Sequence, residues 1–125
     1  MTEKNKVQST GNIDVNNVVY DVEYVKKEKM ALITAYFEVS AHETFPAAVS
    51  LLLDNHELTP PQLVKVVAGK TQHYILKPLK IFRPIIHREE DGEDVRCYCM
   101  SLGFYVANSD ELIFLQSDKI YIHEN

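Results

Sequence analysis

Residues 44–70, TFPAAVSLLLDNHELTPPQLVKVVAGK, decide the architecture, because they carry helix start and stop signals inside a chain that otherwise alternates like strands. Thr44 can cap a helix with Pro46 in its first turn, followed by Ala47, Ala48, Val49, Leu51, Leu52 and Leu53. Asp54 and Asn55 end it. Thr59-Pro60-Pro61-Gln62 is a second start: a cap residue, proline at the first helical position, and glutamine where a capping box places it. Leu63, Val66 and Val67 give that helix an apolar side, and Gly69 sits at its C-terminal end. The β-branched Val64, Val66 and Val67 pull the other way, toward a strand.

Outside this stretch the period is two. Val18, Tyr20, Val22 and Tyr24 alternate with Asp21 and Glu23 across Asn17–Val25, the pattern of a half-buried strand. Lys26–Lys29 is a charged turn, and Met30–Val39 is apolar on both faces, which suits an interior strand. From Gln72 onward the chain is β-rich. Runs at 72–77 and 79–88 are separated by Pro78. EEDGED at 89–94 reads as a solvated turn, Val95–Tyr105 as a long strand, and LIFLQ and KIYIH as closing strands. Tyr98, Met100, Leu102 and Phe104 share one face of the long strand, opposite Cys97, Cys99 and Ser101. The expected fold is α+β: a small, mixed, strongly bent sheet or pseudo-barrel of about seven strands, with two short helices after the first hairpin. It forms a single domain over 17–125, behind a flexible arm over 1–16.

Length and composition agree with one globular domain: 125 residues, 46% apolar and 25% charged. No apolar run approaches the ~20 residues of a membrane span, and the N-terminal segment lacks the apolar core of a secretory signal. Cys97 and Cys99 lie too close along a strand for an unstrained disulfide, so they read as reduced thiols in a cytoplasmic protein. Their spacing is tighter than that of structural zinc sites, and His42-Glu43 and His56-Glu57 do not form H-E-x-x-H. AGKT at 68–71 lacks the earlier glycine of a phosphate loop, since Val64 stands there. No motif supplies catalytic geometry, and neither cofactor nor metal is expected.

The charge is uneven. Residues 58–88 hold six cations and no acid, in a chain of formal charge −5. A groove of lysine and arginine with aromatic faces suits single-stranded nucleic acid. The same stretch also reads as an edge strand guarded by lysine and proline. If 70–88 is extended, Lys77 and Arg83 fall on one face and Lys70, Lys80 and Arg88 on the other.

The segment LVKVVAGK, running through Gly69 into TQHYIL, is similar to the helix-to-strand junction of PUA-like domains, including their ASCH branch. Gly69 matches that branch's G-x-K-x-x-E-x-R pattern. Lys70 comes one place early, however, and Tyr74 and Leu76 replace the acid and the arginine, so no ASCH catalytic or ligand residue carries over. Size and acidity resemble small PUA-fold regulators encoded on conjugative plasmids of Gram-positive bacteria. The resemblance implies a non-catalytic RNA-binding regulator acting after transcription, in the control of plasmid conjugation.

On that reading RNA lies along residues 65–88. Lys65, Lys70, Lys77, Lys80, Arg83 and Arg88 face phosphates, and Tyr74 and Phe82 stack on bases. Gln72 and His73 are the polar groups nearest to base edges. The competing class is a protein-interaction or oligomerising module, using the edge near Pro78–Pro84 to add a partner strand and tyrosines as anchors.

Overall fold

The computed structural model describes residues 6–9, 13–92 and 95–124. Ten strands follow one another: β1 (Lys6–Ser9), β2 (Ile13–Val25), β3 (Met30–Ala41), β4 (Phe45–Leu53), β5 (His56–Glu57), β6 (Gln62–Val66), β7 (Gln72–Ile75), β8 (Leu79–Phe82), β9 (Tyr98–Val106) and β10 (Leu112–Ile120). A single 3-10 turn, Lys26–Glu28, links β2 to β3. The first sheet runs β1-β10-β9-β4, with β5 and β6 both paired to the far side of β4. The second runs β2-β3, with β7 and β8 sharing the far side of β3. Every pairing is antiparallel.

The sheets stack face to face, as aligned β-sandwiches do. From the second sheet, Ala31, Ile33, Ala35, Phe37 and Val39 of β3 point inward. From the first come Val49 and Leu51 of β4 and Met100, Leu102 and Phe104 of β9. Phe104 is the centrepiece: its ring meets Phe37 of the opposite sheet edge-on at 5.3 Å and Phe114 of its own sheet at 5.9 Å.

The α+β pseudo-barrel with two helices is therefore corrected to an all-β, two-sheet arrangement. The reason is local. FPAAVSLLL buries Ala47, Val49, Leu51 and Leu53 at a period of two, and β9 and β6 occupy both sides of β4, so an apolar run that mimics a helix is a central strand. Asp54 and Asn55 do not end a helix. Both take left-handed φ angles, 50° and 68°, as a tight two-residue hairpin turn requires. Thr44, the expected cap, accepts the Ala68 N–H on Oγ1 at 2.9 Å. Gln62, the expected capping-box residue, accepts the Lys77 N–H at 3.0 Å. Gly69 has φ +73° as expected of a glycine turn, but it closes a loop onto the Ala41 carbonyl at 3.0 Å. In 62–66 the β-branched signal prevailed.

The N-terminal boundary also moves. Within the arm expected over 1–16, residues 6–9 form β1 against β10, and β2 begins at Ile13 with Ile13 and Val15 buried. Residues 1–5 and 10–12, like 93–94 of the EEDGED turn, lie outside the described residues. Among the described residues, no helix is long and apolar enough to cross a membrane.

Candidate interaction surface

The six cations of 58–88 do not converge. Lys65 projects from β6 beside Pro46, on the outward side of the first sheet. Lys80 lies across from Leu32 on the outward side of the second. The outward faces of a sandwich are opposite sides of the molecule, so the two lysines share no single face. Lys70 is exposed in the turn after Gly69, and Lys77 is exposed in the link between β7 and β8. Arg88 is exposed near the end of the sandwich, where its backbone N–H reaches Asp91 Oδ2 at 3.2 Å.

The expected base readers have structural duties. Gln72 Oε1 accepts the Val67 N–H at 2.8 Å. Tyr74 turns inward, its ring 5.7 Å from Phe37 and its hydroxyl donating to the Lys65 carbonyl; burial raises its pKa above the usual tyrosine range. His73 Nδ1 lies 3.3 Å from Glu38, which also accepts the Asn17 side-chain amide at 2.6 Å. Phe82 remains exposed, at 70% of its free area. Arg83, at φ 51°, donates its N–H to the Lys29 carbonyl at 2.8 Å, which brings the Lys26–Lys29 turn beside it.

The outward face of the second sheet is organised where the basic stretch is not. Cross-strand register places Val19 of β2, Tyr36 of β3 and Ile75 of β7 in one row. They are 55%, 36% and 68% exposed. Opposed side chains on one face sit about 5 Å apart, so the three form a continuous apolar bar. Beside that bar, β2 presents Asp21 and Glu23, whereas β8 presents Lys80 and Phe82. One margin is acidic, the other basic.

Sequence reasoning missed this row for an identifiable reason. Val19 shares parity with Asp21 and Glu23, which is readable, but its partner depends on a register shift between Asn16 and Val19. Asn17 accommodates that shift with φ 54°. No single-strand pattern reveals it.

A second feature lies at the end of the sandwich. His87, Tyr121 and His123 stack in a cluster with ring centroids 4.6–6.5 Å apart, beside a cleft of about 510 Å³ that Arg88, Glu89 and Glu124 also line. Among the described residues, no three histidine, cysteine or acidic side chains converge as a metal site. Cys97 and Cys99 form no disulfide.

The fold defines the chain as a two-sheet antiparallel β-sandwich, and comparison with solved structures agrees. The chain is similar to part of the exo-chitosanase of Amycolatopsis orientalis, both alone and in complex with PNP-β-D-glucosamine. In each case the TM-score is 0.72 at 12% identity. A structure from work on inhibition of the exo-β-D-glucosaminidase CsxA by a glucosamine-configured castanospermine and an amino-australine analogue gives a TM-score of 0.71 at 12% identity. These matches cover 90% of this chain but only 13% of the neighbour, so the likeness is one of fold over a small portion of a much longer protein. No known family matches the sequence, and no curated protein matches it either.

Proposed function

We propose that this chain is a non-catalytic protein-interaction module whose docking surface is the outward face of the second sheet. The observation that carries the reading is the Val19–Tyr36–Ile75 bar, three exposed apolar side chains in register across three strands. An apolar centre with charged margins is the usual anatomy of a protein interface, and aromatic anchors such as Tyr36 concentrate there. A reducing, cytoplasmic setting fits the unbridged Cys97 and Cys99.

The test is capture from nuclease-treated lysate with wild type, Tyr36→Asp and Ile75→Asp, each checked for an unchanged melting temperature. Protein bands retained by wild type and lost from both variants support the reading. Bands indifferent to the variants, or retention that vanishes with nuclease, overturn it.

One observation favours a second reading, RNA contact. Exposed Phe82 and Lys80 lie beside Arg83, and the Arg83–Lys29 hydrogen bond adds the lysines of the β2–β3 turn. RNA bound there would use Lys29, Lys80, Phe82 and Arg83. Steep loss of RNA retention with salt, abolished by Arg83→Glu, would favour it over protein docking.

A further inference from the structure

We infer that the occupant of the second sheet's outward face is another copy of this chain, docked about a two-fold axis that runs along β3. The inference rests on the interaction reading above and names its partner.

The argument begins with the distribution of charge across three columns. The β2 column carries Asp21 and Glu23, and the β3 column carries Leu32, Thr34 and Tyr36, with Glu38 at its far end held within its own chain by the Asn17 amide at 2.6 Å and His73 Nδ1 at 3.3 Å. The third column carries His73 and Ile75 on β7 and Lys80 and Phe82 on β8. Register puts Glu23, Leu32 and Lys80 in one row, as it does Val19, Tyr36 and Ile75. Within one chain Glu23 and Lys80 are two strand spacings apart, about 10 Å, too far for an ion pair. Among the described residues, neither takes part in an ion pair. Away from the Glu38 end the face is acid, apolar and base from one margin to the other, and so complementary to itself in one orientation.

That orientation is fixed by symmetry. Two copies meeting face to face share an axis lying in the interface. If the axis runs along the strands, the β2 column of each copy covers the β7–β8 column of its partner. Glu23 then meets Lys80 twice, Val19 meets Ile75 twice, and Tyr36 packs on its own counterpart, as a two-fold interface requires. If the axis runs across the strands, each β2 column covers the partner's β2 column and each β7–β8 column covers its own counterpart. The acids then lie over an acidic margin and Lys80 meets no acid, which disfavours that arrangement.

The available area sets the strength. The face is three strands wide and about eight residues long, roughly 15 Å by 27 Å; two such faces bury roughly 800 Å² in total, below the ~1,200 Å² of stable interfaces and in the range of transient ones. The dimer is therefore weak, with the apolar bar supplying attraction and the charged margins supplying register.

Sedimentation equilibrium on the full chain, from about 10 µM to about 1 mM, tests this directly. Wild type is expected to self-associate to a dimer within that range. Glu23→Lys alone and Lys80→Glu alone each place like charges at both symmetry-related contacts, and each is expected to weaken association at least about tenfold. Mixed in equal amounts, the two variants regain opposite charges at both contacts and form a heterodimer. The double variant Glu23→Lys/Lys80→Glu regains the homodimer. Both positions concerned are exposed, and unchanged melting temperatures confirm that folding is intact.

Wild type that stays monomeric at about 1 mM overturns the inference, as does a dimer indifferent to either charge reversal or a mixture that does not rescue association. If wild type is monomeric while Ile75→Asp still abolishes capture from lysate, self-association alone is wrong and a different protein occupies the face. If neither assay responds to Ile75→Asp, the interaction reading fails with it.

Discussion

Gln72 reaches across the gap between the two sheets to accept the Val67 N–H at 2.8 Å, and Gln62 returns the arrangement by accepting the Lys77 N–H at 3.0 Å. With Tyr74 donating to the Lys65 carbonyl, these side chains stitch β6 of one sheet to β7 and its following link in the other. They satisfy backbone groups that an open sheet edge would leave to solvent or to a stray strand. Gln72→Ala leaves the partly buried Val67 N–H without its partner and should cost about 1–3 kcal/mol, whereas Gln62→Ala frees the exposed Lys77 N–H to water and should cost only about 0.5–1.5 kcal/mol. Urea unfolding measures it. A change within error at both positions would remove these residues from the edge and return Gln72 to the pool of candidate ligand groups.

Tyr20 points its hydroxyl into the sandwich, and among the described residues that oxygen has no hydrogen-bond partner. Burial, reinforced by Asp118 and Cys99, drives its pKa far above the ordinary tyrosine value. A raised folded-state pKa means this contribution to stability is fully present below about pH 10 and is lost as pH climbs beyond it. Tyr20→Phe removes the orphaned hydroxyl and the titration together. The variant should be as stable as wild type or more so at pH 7, and should lose less stability between pH 9.5 and 11.5, two ordinary pH settings for such a scan (roughly spanning the usual tyrosine value). Parallel thermal melts at several pH values decide it, and equal alkaline losses would contradict the assignment.

Asn55 holds φ 68° in the Asp54–Asn55 turn that joins β4 to β5. L-residues adopt this region reluctantly, and glycine does so freely. Asn55→Gly is expected to stabilise by up to about 1 kcal/mol, whereas Asn55→Val should destabilise by about 1–2 kcal/mol, because a β-branched side chain fits that region worst. Denaturant midpoints report both. Equal midpoints for glycine and valine would show that Asn55 does not hold the left-handed conformation of a tight two-residue hairpin turn.

These three sites also mark how far the sequence could be read. Period-two patterning located β2, β3 and β9 and placed Tyr98, Met100, Leu102 and Phe104 together on one face of β9, the face that the structure buries. It misread β4 and β6, because Thr44, Pro46, Thr59, Pro60 and Gln62 imitate helix caps residue by residue. Their real partners are Ala68 for Thr44 and Lys77 for Gln62, each contacted only once the chain has folded back. Alanine and leucine on both faces of β4 reflect burial between two neighbouring strands, a condition that local propensity does not report. The basic stretch was legible as charge but not as geometry: Lys65 and Lys80 are 15 residues apart in sequence and belong to different sheets. The Val19–Tyr36–Ile75 row needed register, which no alternation pattern contains.

The central claim, that this protein associates with its own copy through the outward face of the second sheet, is tested most directly by methyl NMR over a dilution series. From about 1 mM to about 10 µM, the methyl signals of Val19, Leu32 and Ile75 should shift progressively, while those of Leu52, Leu63 and Leu115 on the first sheet stay fixed. Movement confined to the first-sheet methyls, or no movement at all, would contradict the account.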